Sequence, residues 1–588
     1  MKRKFKKFLA ILISAVFVFS LAACSSSDKT KKSDEGQTSA DGQATPAVTS
    51  EAKELNLYGY DEPISLKVGL AFNSDFSWAP GESVDNNAWY NLYKEQGINL
   101  EIMYNVDGTQ AETKRTTAIT SGDYPDIMAV SGSDLVKYAQ TGVIADISAV
   151  YEQYASDELK EYVSYGDGSA LNSAKVDGVL YGIPKVEDQH GAAMMMFIRQ
   201  DWLDNLGLEI PTTMDELKVV AKAFTEQDPD GNGQADTYGM ALNGKDGFTY
   251  WSGMQAFFEG YGAIPGYWNG QFTFIQKDGK MVWGGALADE MKAGLADLKE
   301  MYANGSLAKN FGTMDYNQIT QDVGAGKCGI YFAPHWGAMV PAYDALKSDP
   351  NAHIVSAVIP DGFGEGSSKA YVPTTPGSYY VISSKCKNPE ALIKLVNLSV
   401  QKLCYPADSS EVDMYSGKAG AYSGWKACLT ATTSPDDAIK NVSKEHAAIT
   451  SGNKDGLTQS QLTNVEAMEA YYAAVKDGTL KDKLAVDDPL VQQGIAYTTT
   501  SGDELGGGMT MLKMIEKGNF NYSAYNYVPT NTMSSKFSTL DKLALETIVK
   551  IVSGESVDSY DKFLESWEAL GGREVTKEAQ DWYDQNSK

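Results

Sequence analysis

Hydrophobic and polar positions along this chain alternate between a period of two and a period near 3.6 residues. "ISLKVGLAF" (64–72) alternates as a strand does, and "NNAWYNLYKEQG" after it has the spacing of an amphipathic helix that ends at Gly97. "INLEIMYNV", "TQAETKRTTAITSG" and "PDIMAV" predict a strand, a helix and a short strand, and "SDLVKYAQTG" predicts a helix with Ser133 as its N-cap. Repeated strand–helix units of this length predict an α/β fold with a mainly parallel sheet.

The pattern continues through the middle of the chain and becomes helical at its end. "AAMMMFIRQDWLDNLG" predicts a buried strand leading into a helix closed by Gly207, and Thr213 and Glu216 have the spacing of a capping box. "TLDKLALETIVKIVSGESVDSYDKFLESWEALGG" predicts two amphipathic helices near the C-terminus, whereas between about 406 and 526 the pattern blurs. One face of the helix predicted in "LADEMKAGLADLKEMYANG" is apolar and predicts a core-facing stripe of Leu287, Met291, Leu295, Leu298 and Tyr302.

The N-terminus differs from the rest of the chain. "MKRKFKK" supplies five cations, and "FLAILISAVFVFSLAA" (8–23) is an uncharged apolar run, short for a bilayer span of about 20 residues. The basic head, the apolar run and "LAAC" resemble a bacterial lipoprotein signal, which implies cleavage before Cys24 and lipidation of its thiol. The alternative is an ordinary transmembrane anchor. The polar residues that follow, 24–55, predict a flexible tether.

Charge and composition exclude several classes of function. The chain has 588 residues and a net charge of −27, which becomes about −32 once residues 1–23 are removed. A surface this acidic disfavours binding to nucleic acid and broad contact with anionic lipid headgroups. No two cysteines have C-x-x-C spacing and no H-E-x-x-H occurs, which disfavours a zinc site. Three disulfide pairings stay open for the cysteines beyond Cys24, which are Cys328, Cys386, Cys404 and Cys428.

"DPDGNGQADTYG" (228–239) has the spacing of a calcium loop. In an EF-hand, oxygen ligands occupy positions 1, 3, 5, 7 and 9, with glycine at position 6, which is Gly233 here. Position 12 holds Gly239 instead of glutamate, so another part of the chain or water must complete the shell. We predict a structural calcium ion in preference to magnesium; the alternative is a solvated turn without metal. The predicted ligands are Asp228, Asp230, Asn232, Gln234 through its backbone carbonyl, and Asp236.

Several phrases, in their order and spacing, resemble extracellular solute-binding proteins of ATP-driven importers. They include "SGDYPDIMAVSGSDLVKYAQTGVIADIS", "DGVLYGIPKV", "MMMFIRQDWLDNLGLEIPTTMDELKVVAKAF" and "DPDGNGQADTYG". The ending "IVSGESVDSYDKFLESWEALGGREVTKEAQDWYDQ" is similar to the large lipid-anchored subgroup of Gram-positive bacteria that is associated with oligosaccharide uptake. The resemblance covers about residues 60–400 and 535 to the end, and the stretch of about 405–530 matches nothing in it.

The resemblance implies an α/β, two-lobed, periplasmic-binding-protein-like fold of type II, with a hinge and a helical C-terminus. It implies a lipid-anchored monomer on the extracellular face of the membrane, which captures an oligosaccharide between its lobes. The cargo would pass to the permease subunits of an ABC importer, and the chain itself would be no enzyme. The implied parts are a signal peptide (1–23), a tether (24–55), lobe 1 (56–184), lobe 2 with the calcium loop (185–365), a return to lobe 1 (366–405), and mainly lobe 2 with C-terminal helices (406–588).

Candidate ligand contacts follow from the chemistry of sugars. The C–H faces of a sugar stack on aromatic rings, and its hydroxyls bond to carboxylates and amides. In open α/β sheets, ligands lie at the carboxyl ends of the strands. Trp251 and Trp336 are the first choices, although for any tryptophan a place in the core is the alternative. The full set of candidates is Asp75, Trp78, Trp89, Ser131, Asp134, Glu187, Asp188, Trp251, Trp268, His335, Trp336 and Tyr379.

Two other classes of function remain as alternatives. A glycoside hydrolase acting on extracellular polysaccharide needs only paired carboxylates, which leave no short sequence signature. A peptide-binding import receptor would share the fold implied by the resemblance. Other enzyme classes are disfavoured, because there is no G-x-S-x-G motif and "VGAGKCG" lacks the first glycine and the final Ser/Thr of a phosphate loop.

Overall fold

The structure is a computed structural model that describes residues 55–586 with short gaps. The predicted signal peptide, nearly all of the predicted tether, and Cys24 lie outside the described residues. Within the described part, none of the helices combines the length and the apolarity needed to cross a bilayer. The residues left out of the range are 73–75, 165–168, 187, 189, 246, 249–250, 269–270, 375, 418–422, 433–440 and 526.

Strands are distributed along the chain up to residue 522. The described strands are β1 (Ile64–Phe72), β2 (Ile98–Asp107), β3 (Ile127–Val130), β4 (Lys175–Val176), β5 (Val179–Leu180), β6 (Ile183–Pro184), β7 (Met194–Arg199), β8 (Tyr238–Met240), β9 (Tyr267–Trp268), β10 (Gln271–Phe272), β11 (Phe274–Lys277), β12 (Lys280–Trp283), β13 (Cys328–Pro334), β14 (Ile354–Ala357), β15 (Ala370–Val372), β16 (Tyr379–Ile382) and β17 (Phe520–Tyr522).

Helices lie between these strands and dominate the last third of the chain. The described α-helices are α1 (Ala88–Glu95), α2 (Ala111–Ser121), α3 (Gly132–Gln140), α4 (Ser148–Tyr154), α5 (Asp157–Ser164), α6 (Ser169–Ser173), α7 (Gln200–Leu206), α8 (Met214–Glu226), α9 (Gln255–Glu259), α10 (Ala288–Asn304), α11 (Tyr316–Gly324), α12 (Pro341–Ser348), α13 (Ala391–Cys404), α14 (Ser409–Glu411), α15 (Ser443–Ser451), α16 (Gln459–Lys476), α17 (Leu480–Ala485), α18 (Pro489–Tyr497), α19 (Gly507–Lys517), α20 (Asn531–Val552), α21 (Ser559–Trp567) and α22 (Arg573–Asn586).

Lobe 1 is built on a five-stranded sheet in the order β2-β1-β3-β16-β6. β1, β2 and β3 are parallel, as predicted, and β16 and β6 add antiparallel pairings at one side. The predicted N-cap of α3 is wrong: Ser131 and not Ser133 caps the helix, because Ser131 is the last residue with extended backbone and its hydroxyl accepts from the N–H of Asp134. The lobe 1 core also contains side chains from later in the chain, including Tyr415, Cys428 and Val528.

Lobe 2 is built on a four-stranded sheet in the order β14-β7-β13-β8. The prediction of a mainly parallel sheet is wrong here, because β7 is antiparallel to both of its neighbours and only β8 is parallel to β13. β7 lies in the middle of the sheet and is buried on both faces, which explains its uninterrupted apolar sequence "MMMFIR". The predicted capping box of Thr213 and Glu216 is confirmed, with both reciprocal hydrogen bonds present.

Helices complete lobe 2 in the last third of the chain. The two predicted C-terminal helices are present as α20 and α21, and a third helix, α22, follows them. The Trp567 ring of α21 stacks on Trp283 of β12, with ring centroids 4.4 Å apart. The predicted stripe of α10 is confirmed, since Met291, Leu295 and Leu298 are fully buried. α15 and α16 enclose a small separate core that includes Val465 and Met468.

The chain passes between the two cores after β6, after β15 and after β17. These segments are hydrogen-bonded to one another: the backbone N–H of Lys185 donates to the carbonyl of Ser378, and that of Ser523 donates to Val372. Tyr525 belongs to the lobe 2 core, whereas Val528, three residues later, belongs to the lobe 1 core. Three adjacent connections of this kind form a hinge between two α/β lobes.

Candidate functional site

A cavity opens at the carboxyl end of the lobe 1 sheet, between β1 and β3. The two strands share a single residue pair, Val68 with Ile127, and beyond that pair they diverge. Residues 69–72 of β1 and 127–129 of β3 line the resulting cavity, whose volume is about 210 Å³. Because β2 pairs with one side of β1 and β3 with the other, the cavity lies where the strand order reverses, the usual ligand position in such sheets.

Arg115 of α2 forms one wall of this cavity. Its guanidinium donates to the Ala129 carbonyl from Nη1, at 2.9 Å, and to the Asp134 carboxylate from Nη2, at 2.8 Å. Its Nε is buried and has no hydrogen-bond partner in the described part of the chain. Residues 426–429, which begin inside the short 3₁₀ turn Gly424–Ala427, also line the cavity. The cavity therefore combines a fixed guanidinium with a segment from far along the chain.

Aromatic rings cluster where β1 ends. Phe72, which lines the cavity, stacks on Phe76 with ring centroids 4.6 Å apart. The candidate Trp78 packs edge-on against both rings, at 5.2 Å and 4.7 Å. Trp78 is half-buried and remains in place as a candidate contact. The cluster extends the lined surface from the cavity along the carboxyl edge of lobe 1.

In lobe 2, two histidines lie at the start of β7 and the end of β13. His190 precedes β7, and its Nε2 is 3.1 Å from the hydroxyl of Tyr522, which is 44% exposed. The candidate His335 follows β13 directly. Burial lowers the pKa of both His190 and His335, and Nδ1 of each ring is buried without a hydrogen-bond partner among the described residues. These imidazoles are therefore neutral near pH 7 and suit hydrogen bonds with uncharged groups.

The two tryptophans ranked first both lie near this edge of lobe 2. Trp251 is buried and stacks on Tyr331 of β13, with ring centroids 5.0 Å apart. Trp336 is partly buried and packs against the lobe 2 core. The candidate Asp188 accepts a hydrogen bond from the backbone N–H of His190, at 2.9 Å. Trp336 and Asp188 are the more accessible members of this group.

Four other candidates in lobe 1 have structural partners. Trp89 is 1% exposed and its indole N–H donates to the Tyr415 carbonyl, while Tyr379 is 0% exposed and its hydroxyl lies 2.9 Å from that of Ser173. Ser131 caps α3. Asp134 pairs with Arg115. We retain Asp134 as the residue that orients the guanidinium, and we no longer assign ligand contacts to Trp89 and Tyr379, because both are enclosed by the core.

Some candidates lie outside the described residues, and some residues of the site were not among the candidates. Asp75, Glu187 and the side chain of Trp268 are outside. The residues that sequence reasoning missed are Phe76, Tyr104, Arg115, Lys426 and Tyr522. The phrase "SGWKA" (423–427) offered one signal, since it places a tryptophan beside a lysine in an otherwise polar stretch.

The loop after α8 is a second polar site, in lobe 2. The side-chain amide of Asn232 donates to Asp230 at 2.7 Å and to Asp236 at 3.3 Å, and the Asp228 carboxylate accepts from the backbone N–H of Gly233. Burial raises the pKa of Asp230, and the neighbouring Asp228 and Asp236 carboxylates raise it further. Gly233 has a φ of +78°, as the sharp turn requires.

The donors of this loop suit a hard cation, although they are not closed around one. Carboxylate, amide and carbonyl oxygens are the ligands that calcium takes, and a cation would offset the crowding of three carboxylates. Within the described residues, no group of three or more His, Cys, Asp or Glu side chains has metal-holding geometry. The described cysteines are free thiols: Cys328, Cys386, Cys404 and Cys428.

Two α/β lobes, a three-segment hinge and a lined cavity at strand ends define a two-lobed solute-binding protein. The model of the family of bacterial extracellular solute-binding proteins matches residues 77–400, and the chain belongs to this family. The predicted family and the predicted two-lobed fold are confirmed.

Three curated proteins are among its relatives. Lipoprotein LipO of Bacillus subtilis (strain 168) is 31% identical over 244 residues, which are 41% of this chain and 45% of LipO. The fructooligosaccharide ABC transporter substrate-binding protein FusA of Streptococcus pneumoniae serotype 4 (strain ATCC BAA-334 / TIGR4) is 29% identical over 298 residues, 48% of this chain and 53% of FusA. The polygalacturonan/rhamnogalacturonan-binding protein YtcQ of Bacillus subtilis (strain 168) is 24% identical over 503 residues, 84% of this chain and 87% of YtcQ. The chain thus spans about half the length of LipO and FusA.

Solved structures share the fold. The alginate-binding protein AlgQ2 without calcium ion superposes with a TM-score of 0.60 at 18% identity, covering 90% of this chain and 99% of that one. An EF-hand mutant of FusA from S. pneumoniae, in complex with fructo-nystose, has a TM-score of 0.58 at 19% identity, covering 89% of this chain and 99% of that one.

Proposed function

We propose that this protein is an extracellular receptor that captures an oligosaccharide between its two lobes and delivers it to the permease subunits of an ABC importer. The observation that carries the proposal is the cavity at the diverging ends of β1 and β3, in a chain whose two lobes are joined by three connecting segments. The named relatives support the cargo class, since FusA and YtcQ are described as binding fructooligosaccharides and polygalacturonan or rhamnogalacturonan.

Capture works through the hinge. A ligand that contacts both lobes binds the closed form more tightly than the open form, so binding shifts the population toward closure. On the lobe 1 side, Arg115 and the Phe72–Phe76–Trp78 rings offer donors and stacking faces. On the lobe 2 side, His190, His335, Trp336 and Tyr522 offer neutral hydrogen-bonding groups and rings. No bond of the cargo is made or broken in this mechanism, so we propose a receptor and no enzyme.

We also propose that the protein is a monomer held at the extracellular face of the membrane by lipid on Cys24. The name of LipO and the resemblance of "LAAC" to a lipoprotein signal support this anchorage. Lobe boundaries at 56–184, 185–365, 366–405 and 406–588 remain our proposal. The cores refine it, since β15 packs in lobe 2 and Tyr415 and Cys428 pack in lobe 1.

We propose that the 228–236 loop binds calcium as a structural ion of lobe 2. Asp228, Asp230, Asn232, Asp236 and the backbone carbonyl of Gln234 would hold it. Bound calcium would neutralise the crowded carboxylates and stabilise the turn between α8 and β8. AlgQ2, solved without calcium ion, and FusA, solved as an EF-hand mutant, share this fold, which supports a metal role for such a loop.

A thermal-shift panel tests the receptor proposal. A ligand that binds only the native state raises the melting temperature, because it adds about 2.7 kcal/mol to the free energy of unfolding at a hundredfold excess over Kd. We expect a shift with neutral or acidic oligosaccharides and none with peptides, and no new reducing ends after prolonged incubation. Stabilisation by peptides alone, or release of reducing ends, would replace the proposal with one of the two alternative functions.

A further inference from the structure

We propose that Tyr522 is a cargo-binding residue of lobe 2, that it binds an uncharged sugar unit, and that His190 is its positioning residue. In this proposal the exposed Tyr522 ring stacks on the C–H face of the unit, and its hydroxyl bonds to a sugar hydroxyl. The inference rests on the proposed function and deepens it, because it names the lobe 2 contact and the chemical class of the unit bound there.

Tyr522 lies beside the hinge. It is the last residue of β17, where the third connection between the lobes begins, and it pairs with Val372, the last residue of β15, where the second connection begins. Val528, six residues later, already belongs to the lobe 1 core. Because the lobes rotate about these connections, a side chain here stays at the base of the crevice in the open and the closed form.

The Tyr522 ring is exposed although its aromatic neighbours are buried. Tyr522 is 44% exposed, whereas Phe520 on the same strand is 7% exposed and His190 is 5% exposed. The imidazole of His190 lies against both rings, with centroids 4.6 Å from Phe520 and 6.2 Å from Tyr522. The buried rings support Tyr522 from one side and leave the rest of it accessible. A rigid, accessible ring with a polar tip suits the C–H face and the hydroxyls of a sugar.

His190 holds the Tyr522 hydroxyl in place. Its Nε2 is 3.1 Å from that hydroxyl, and its own backbone N–H donates to the Asp188 carboxylate at 2.9 Å. A phenol hydroxyl has one proton and two lone pairs, so the bond to a single imidazole nitrogen leaves it able to form a further hydrogen bond. A sugar hydroxyl, which both donates and accepts, can form that bond.

The charge around this contact favours an uncharged unit. The Asp188 carboxylate acts on both His190 and His335 and raises the pKa of each, but burial lowers the pKa of each by more. The two imidazoles are therefore neutral near pH 7 and supply no counter-charge for a sugar carboxylate, while the Asp188 carboxylate repels one. A neutral sugar unit meets no such repulsion.

Titration calorimetry on the full protein tests the Tyr522 contact. The probes are a neutral fructose trisaccharide, the methyl ester of trigalacturonate, and trigalacturonate itself. We expect a neutral probe to bind, and the ester to bind at least about threefold tighter than the acid. Tyr522→Phe should weaken binding of the neutral probe about fivefold, as loss of one hydrogen bond does, and Tyr522→Ala at least about tenfold. Tyr124→Phe removes a hydroxyl just before β3, at the opposite edge of the lobe 1 sheet, and is the matched control that should leave affinity unchanged.

A double-mutant cycle tests the positioning role of His190. His190→Phe keeps a ring against Phe520 and removes the nitrogen. We expect it to weaken binding about threefold when Tyr522 is present and to have almost no effect in the Tyr522→Phe background, because the two side chains act through one hydroxyl. His190→Gln, whose amide can bond to that hydroxyl, should restore most of the affinity. Tyr522→Phe, a change at an exposed side chain, tests the contact even where the buried replacement does not fold.

The contrary results separate the parts of the inference. Wild-type affinity in both Tyr522 variants would remove Tyr522 from the site. Acid bound as tightly as its ester, or more tightly, would overturn the uncharged unit. Equal losses from His190→Phe in the two backgrounds would give His190 a structural role only. These results leave the receptor standing, whereas failure of all three saccharides to bind would overturn the proposed function as well.

Discussion

The 228–236 loop of lobe 2 and the β1–β3 cavity of lobe 1 are both polar sites, yet they are built in opposite ways. The loop is nine consecutive residues, largely exposed, with carboxylates that crowd one another. The cavity gathers cations and rings from β1, α2, β3 and residues 426–429. A site formed by one segment of the chain can stabilise the fold locally, whereas a site formed by several segments can bind cargo. We therefore expect changes in the loop to alter stability and changes in the cavity to alter affinity.

The largest effect is expected for Gly69→Ala, a change in the cavity that should alter both stability and affinity. A Cβ added at Gly69 would lie 2.2 Å from Cζ of the Tyr104 ring, so the ring must move. We expect Gly69→Ala to cost about 1–3 kcal/mol of unfolding free energy, as overpacking does, and to distort the cavity. Urea unfolding and ligand titration measure the two consequences. A variant with wild-type stability and affinity would show that the Tyr104 packing does not shape the site.

Removal of calcium from the 228–236 loop should have the second-largest effect, a loss of stability. Extracellular calcium sites bind with Kd of roughly 10⁻⁴–10⁻³ M, so about 1 mM calcium should add about 0.4–1.4 kcal/mol of stability. We expect chelation to lower the melting temperature and to change oligosaccharide affinity less than about twofold. Asp230→Ala should abolish the response to calcium. Asp482→Ala, at an exposed acid of α17, is the control and should keep it. A large loss of affinity without calcium would make the loop part of the ligand site.

Trp425→Ala should lower the affinity for oligosaccharide and leave stability nearly unchanged, which is the converse of calcium removal. Because the exposed Trp425 ring adjoins Lys426, which lines the cavity, we expect the variant to lose about fivefold in affinity for oligosaccharide. Its unfolding midpoint in urea should stay close to wild type, since little buried apolar area is lost. Unchanged affinity would remove Trp425 from the site, and a large loss of stability would assign it to the core.

The smallest effect is the pH dependence of the metal-free loop. The pKa of Asp230 is raised above its usual 3.8 in the native state, so native protein holds a proton that unfolded protein has released. Stability of metal-free protein should therefore fall as pH rises above about 4, by a few tenths of a kcal/mol because Asp230 is partly exposed. Asp230→Asn should flatten this part of the pH profile in urea unfolding. A profile that rises over the same range in wild type, but not in the variant, would contradict the sign.

The same contrast explains what sequence alone could predict. The 228–236 loop could be predicted because its donors follow one another along the chain and the backbone fixes their spacing. β1, α8 and the apolar stripe of α10 could be predicted because their buried positions recur with the period of a strand or a helix. Arg115 and Lys426 lie more than 300 positions apart, and only the tertiary fold brings them to one cavity. Trp78 follows the first predicted strand and Trp89 lies in the helix predicted after it; they differ in burial because α1 turns Trp89 into the core.

The central claim is that the two lobes close on bound cargo about the hinge. Small-angle scattering of the calcium-loaded protein tests this claim most directly. The radius of gyration is measured with and without a saturating oligosaccharide chosen by its thermal shift, and the oligosaccharide is recovered afterwards. We predict a smaller radius with ligand bound and an intact ligand after the measurement. An unchanged radius at saturation, or a cleaved ligand, would contradict a receptor that closes on its cargo.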